Sequence, residues 1–183
     1  MREPNLVRVD AFLAWEARQS IPHELIDGLI VAMSNPTRAH GRLVRRLNRA
    51  IDAACGDACD VYLGDMTVRI VGRERDNAPR PDIVVTCDDR DRHPRDEFDR
   101  TICYPKLIVE VLSPRTAAQD LGTKLRSYFS IATMEEYLVV DSRKRSVILH
   151  RRVHGSVVTT WPEDVVRLES LHCHVEIDAL YAR

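Results

Sequence analysis

Apolar and polar positions along this chain fall into short patterned stretches separated by turn-forming residues. Phe12, Leu13 and Trp15 follow Asp10 at helical spacing and predict a short amphipathic helix that Asp10 could cap. In HELIDGLIVAMS, Asp27-Gly28 separates two apolar runs. A type I′ turn needs positive φ at both central residues, which Asp-Gly supplies, so the segment predicts a hairpin. Ser34-Asn35-Pro36-Thr37 ends the second strand and leads into a helix over about residues 38–54. Around that helix, Leu43, Val44, Leu47, Ala50, Ile51 and Ala54 share one face, and His40 projects with them. Arg42, Arg45, Arg46 and Arg49 gather on the other.

Strand patterns follow at Val61–Leu63, Met66–Val71 and Asp82–Thr86. The mixed-charge stretch Asp88–Arg100, with Pro94, predicts a solvated loop that supplies no core. Its aspartates could attract a cation, but the arginines between them compete. The continuous run Lys106–Ser113 predicts a strand buried on both faces. Ser113-Pro114 stops it, and a helix is expected from about Thr116 to Ile131. Glu136–Asp141, Ser146–Arg152 and Ser156–Trp161 read as further strands, with turns at Arg143–Arg145 and His154-Gly155, and Ile177–Tyr181 as a closing helix. No repeat or linker interrupts the pattern. The expectation is one α/β domain over residues 1–183, with a mixed sheet.

Composition narrows the function. A length of 183 residues suits one domain and can bury a core without disulfide or zinc staples. The 27 Lys+Arg against 28 Asp+Glu give a net charge of -1. That argues against a wholly basic coat protein or a membrane-surface protein and leaves room for a local basic patch. Aromatic residues, at 5%, are too few for a grip on single strands made mainly by stacking. The five cysteines are odd in number and suggest no compact framework. The N-terminus lacks the apolar core of a secretory signal, and no run approaches the roughly 18 apolar residues of a membrane span. A cytoplasmic protein is expected. Seven glycines leave little room for a phosphate-cradling glycine loop. Cys55, Cys59, His172, Cys173 and His174 make a poor zinc set because His-Cys-His packs its donors too tightly.

Three residues carry the chemistry. Glu110 lies inside Leu107, Ile108, Val109, Val111 and Leu112, where an ionised carboxylate needs a cation or a charge-sharing partner. An arginine could serve purely structurally. Asp82 follows Arg80-Pro81 and opens the run Ile83, Val84, Val85; an Asp there is commonplace in turns. Paired with Glu110 on a neighbouring strand, it becomes half of an oxygen-rich site of the kind Mg²⁺ accepts. Asp120, Lys124 and Tyr128 share one edge of the following helix. An Asp–Lys surface pair would explain two of them. Yet the chain has only three lysines, Lys106, Lys124 and Lys144, so a compact ammonium here points to a wanted point charge or a movable proton. The arginines Arg42, Arg45, Arg46 and Arg49 are either a solvated face or a ridge that holds phosphates.

HELIDGLIVAMS, His40, RPDIVV, IVEVLSPRT, the Asp120/Lys124/Tyr128 pattern and EYLVVD occur in an order that resembles the Uma-two family of bacterial endonucleases, from about residue 7 to 181. That family is placed in the PD-(D/E)xK restriction-endonuclease-like superfamily. The resemblance implies a restriction-endonuclease-like core and a metal-dependent endonuclease that cleaves nucleic acid, with DNA the expected substrate. Asp82 then matches the Asp of the PD element and Glu110 the second acid, both holding Mg²⁺ or Mn²⁺. Leu112 stands where the superfamily pattern has lysine, and Lys124 matches a lysine moved to the next helix. Glu24, His40, Asp120 and Tyr128 would support the acids, and His23 stands where the family usually has Tyr. A homodimer would be needed to cut both strands symmetrically. The alternative function is a nuclease-fold module that binds nucleic acid or a protein partner without cutting, which Leu112 favours.

Overall fold

In the computed structural model, residues 6–93, 96, 98–113 and 117–182 are described; Pro94, Pro114 and Thr116 lie outside them. The N-terminal helix α1 (Val9–Glu16) is capped differently from the sequence expectation. Asp10 sits in its first turn, where it pairs with Arg69, and it does not cap. The buried carboxylate of Asp76 does that work: one oxygen accepts from the Val9 N–H at 2.9 Å and pairs with Arg8, while the other accepts from Gly72 N–H. The hairpin of β1 (His23–Ile26) and β2 (Leu29–Ala32) forms around Asp27 and Gly28, at φ 50° and 76° as a type I′ turn requires. Helix α2 (Arg38–Cys55) starts at Thr37, whose hydroxyl accepts from the His40 N–H.

Next come β3 (Asp60–Leu63), a two-residue β4 (Thr67–Val68) and β5 (Ile83–Thr86). The run Met66–Val71 thus yields two strand residues and an isolated bridge at Ile70, because its partner is the equally short β6 (Thr101–Ile102). Between them, the stretch expected to be a solvated loop holds a short helix, α3 (Asp89–Arg92). Its Asp91 is buried and accepts from the N–H groups of Cys103 and Tyr104 and from the Thr86 hydroxyl. Charge-rich sequence here is structural, since a carboxylate can collect loop amides that would otherwise be orphaned.

Strand β7 (Leu107–Leu112) is buried at every position. The expected single helix after it is three pieces: α4 (Ala117–Gln119), a π-helical turn at Asp120–Lys124, and α5 (Leu125–Phe129). Strands β8 (Glu136–Asp141), β9 (Val147–Val153) and β10 (Ser156–Thr160) follow, the last two joined through His154 and Gly155 at positive φ. A hairpin of β11 (Val165–Leu168) and β12 (Cys173–Glu176), not anticipated from the sequence, precedes α6 (Ile177–Tyr181).

The main sheet is mixed and six-stranded, in the order β10-β9-β8-β7-β5-β3, with β7 and β8 parallel. Leu107, Val109 and Val111 face a core shared with α2, the β11–β12 hairpin and α6. Ile108 and Leu112 face a second core around Tyr128, Met134 and Tyr137. Glu110 lies between those two in the strand alternation and so points into the second core. The cysteines also differ from expectation: Cys59 and Cys87 form a disulfide beside the paired ends of β3 and β5. Among the described residues, no helix is long and apolar enough to cross a membrane.

Candidate active site

The antiparallel register of β5 against β7 pairs Ile83 with Val109, and one step further Asp82 falls opposite Glu110. Asp82 lies just before β5 rather than in it. One of its oxygens accepts from the Val111 N–H at 2.7 Å and the other meets His40 Nε2 at 2.9 Å. His40 reaches it from the first turn of α2, on the inward face read from the periodicity. Burial opposes charge on this ring, but the hydrogen bond and the charge of Asp82 outweigh it and raise the imidazole above its ordinary range.

Glu110 Oε1 accepts from Lys124 Nζ and from the Tyr128 hydroxyl, each at 3.0 Å. No guanidinium neutralises either acid among the described residues. Lys124 is engaged further: its Nζ stands 2.8 Å from Glu24 and 3.1 Å from Asp120. Glu24 comes from the β1–β2 hairpin and also accepts from the Arg80 N–H at 2.9 Å, which ties the hairpin to the segment preceding Asp82. The Tyr137 hydroxyl donates to the Asp120 carbonyl from β8. The π turn changes the ordinary helical spacing here, yet Lys124 and Tyr128 still converge on one oxygen; local π geometry is common where helices carry function.

Lys124 is 4% exposed, Glu24 and Glu110 7%, and Asp120 2%, whereas His40 and Asp82, at 16% and 21%, reach the rim. Three carboxylates thus stand around one ammonium away from water. Burial, against which the attraction of Lys124 is insufficient with Asp120, Asp82 and Glu24 adding repulsion, pushes the Glu110 carboxyl well above its usual range. Burial alone would lower Lys124, but Glu110, Glu24 and Asp120 outweigh it and hold its proton firmly. Burial, and then the charge of Glu110, also raises the Tyr128 hydroxyl, which therefore remains a donor.

The donor set is all hard oxygen, matching a divalent cation of the Mg²⁺ or Mn²⁺ kind. Among the described residues no group of three or more His, Cys, Asp or Glu side chains is arranged to hold a metal ion. A cation here would take Asp82 and Glu110 from the protein and complete its shell with water and phosphate, as Mg²⁺ sites commonly do.

The seven residues therefore fall into two adjoining groups: Glu24, Glu110, Asp120 and Tyr128 gather around Lys124, directly or through Glu110, while His40 holds Asp82, which caps the amide of Val111 next to Glu110. The arginines do not all behave as the helical wheel implied. Arg46 turns away to donate to the carbonyls of Leu180 and Ala182, where it ends α6, and so leaves the ridge. Arg42, Arg45 and Arg49 are exposed, on the side of α2 away from His40. Sequence reading missed Arg38, which continues their spacing by four residues, and Asp76, whose role depends on chain far away.

The chain matches the Uma2 family, described as "Putative restriction endonuclease", over residues 9–179. It is 34% identical over 176 residues to the uncharacterized protein slr1290 of Synechocystis sp., covering 94% of this chain and 90% of that one. It is 29% identical over 133 residues to the uncharacterized protein sll1609 of the same organism, covering 71% and 72%. In fold it resembles the crystal structure of "a putative nuclease belonging to DUF820" from Anabaena variabilis, with a TM-score of 0.78 and 18% identity over 96% of this chain and 98% of that one. The chain shares the fold of that structure, and it belongs to the Uma2 family.

Proposed function

We propose that the protein is a divalent-metal-dependent endonuclease hydrolysing phosphodiester bonds in DNA, with Asp82 and Glu110 holding the ion and Lys124 assisting. The observation that carries this reading is the position of Asp82, one step before β5, opposite Glu110 of β7, beside a buried, charged lysine. Family membership and the nuclease fold support the hydrolase class. A Mg²⁺ or Mn²⁺ ion, when bound, would supply Lewis-acid help to the phosphate and acidify a bound water.

The chain's own residues set the rest. Hydrolysis builds negative charge on the phosphoryl oxygens, so fixed positive charge at that place lowers the barrier. Lys124 keeps its proton under the pull of three carboxylates. It therefore serves as an electrostatic group or proton donor rather than as the base that removes a proton from water. His40 holds Asp82 Oδ1 and the Val111 amide holds Oδ2, which fixes the carboxylate at the rim. Tyr128 orients Glu110 from below.

Cleavage of plasmid and oligonucleotide DNA is to be measured while Mg²⁺ or Mn²⁺ is titrated, with Asp82→Ala and Lys124→Ala as controls. Metal-dependent cleavage by the wild type, abolished in Asp82→Ala, is expected. Full activity in Asp82→Ala would remove the metal reading. The second reading, a module that binds without cutting, draws on Leu112 at the in-strand position and on an ammonium already seated among the acids. Cation binding without cleavage is its signature.

A further inference from the structure

Helix α2 carries five arginines and one acid, Asp52, so its net charge is +4 in a chain whose total is -1. With Arg46 engaged by the C-terminal carbonyls, four remain: Arg38, Arg42, Arg45 and Arg49. All four are exposed, and none has a carboxylate partner among the described residues. At 100° per residue they fall within roughly 60° of one another, spread along roughly 16 Å of helix. This is a straight stripe of four positive charges at i, i+4, i+7 and i+11, with Asp52 one turn beyond its end.

The packing of α2 decides where that stripe looks. Leu43, Leu47 and Ile51 face the sheet, and His40 turns inward to Asp82. The arginines lie about 170° round the helix from His40, on the face of α2 turned away from the sheet, so at least the width of the helix, about 10 Å, lies between them and the acid site. They cannot hold the oxygens of the phosphate being cleaved. They can hold phosphates of a polyanion away from that site.

We propose that the outer face of α2 is a second, non-catalytic phosphate-binding surface, on which Arg38, Arg42, Arg45 and Arg49 engage the backbone of a nucleic-acid duplex, the class of polyanion that the acid site is proposed to cleave. The link to cleavage rests on the nuclease reading; the binding surface does not. Guanidinium groups match phosphate oxygens in paired hydrogen bonds. Beside and just beyond the arginines on the solvent side stand Gly41, the half-buried Asn48, Asp52 and Ala53, with no aromatic or large aliphatic group to anchor a protein partner. Lack of aromatic side chains likewise disfavours a single strand held by stacked bases.

The test is binding of a labelled duplex of about 30 base pairs, followed by fluorescence anisotropy in EDTA with the Asp82→Ala protein at several salt concentrations. Each phosphate contact contributes about -0.9 to the slope of log K against log salt, so changing the four arginines to glutamine should flatten that slope by about 3–4. The four-lysine variant, which keeps the charge, should retain most of it, and the double variant Arg42→Gln/Arg45→Gln should lose about 2. An unchanged slope in the glutamine variants overturns the proposal. So does tighter binding of a single strand of equal length, or equal affinity for polyglutamate, which would assign the face to an acidic protein. Metal-free binding stands apart from cleavage: the slope can change as expected in a protein that never cuts, and an active nuclease can fail to show it.

Discussion

Replacing Lys124 by methionine leaves Glu24, Glu110 and Asp120 facing one another without the ammonium they share at 2.8, 3.0 and 3.1 Å. Removing one partner of a buried ion pair costs about 3–5 kcal/mol, since the remaining charge is left out of water and uncompensated. Glu110 softens the loss. Its carboxyl is already pushed up by burial and by its acidic neighbours, so it takes up a proton instead of remaining charged. The expected cost is therefore near the lower bound, about 3 kcal/mol, or a melting temperature lower by about 6–12 °C for a chain of this size. Urea denaturation and thermal melting at neutral pH in EDTA measure it. Adding Glu110→Gln to Lys124→Met should recover part of the loss, because the second change removes an acid that no longer has a cation. Mg²⁺ should stabilise the wild type, by about 2.7 kcal/mol at a hundred times its dissociation constant, and not the Asp82→Ala protein. A cost below about 1 kcal/mol for Lys124→Met would mean that the three carboxylates do not depend on this lysine, and the charge argument for the site would fail.

Two further outcomes follow from buried groups outside the site. Asp76→Ala should cost about 1–3 kcal/mol in urea denaturation by orphaning the Val9 and Gly72 amides, with early hydrogen exchange at Val9; an unchanged midpoint would deny its capping role. His150 has Nδ1 against the Thr159 hydroxyl and a buried Nε2 without a hydrogen-bond partner among the described residues, and burial lowers its pKa. The unfolded chain then binds the extra proton more readily than the folded one, so this group's contribution to stability is present above about pH 6.5 and is lost as pH falls below it. Comparing wild type with His150→Gln between about pH 5 and pH 7.5 should show the steeper decline in the wild type; parallel curves would refute it.

Much of the architecture was legible in local pattern. Asp27-Gly28, the apolar face of α2, the unbroken run in β7, EYLVVD and the closing helix all appear where their spacing predicts, because turn chemistry and side-chain periodicity act over a few residues. The β11–β12 hairpin was missed although VVRL alternates, since its turn runs through a 3-10 segment and a left-handed His172 rather than a glycine pair. Asp91 was misread because mixed charge in sequence looks the same whether a carboxylate is solvated or collects loop amides.

The individual acids were visible before the fold: a glutamate within five apolar neighbours must find a partner, whatever encloses it. Which partner it finds was not. Lys124 meets Glu24 across a hundred residues of chain, Arg46 meets Leu180 at a separation of 134, and Asp76 meets Val9 at 67. Composition and periodicity assign a side chain to a face, but they carry no distances between faces, and a charge placed on the same helical side as its neighbours can be withdrawn by a distant carbonyl. That is why the helix and its arginines could be read from the chain, while the diversion of Arg46 and the capture of Lys124 by three carboxylates were settled by how the layers close.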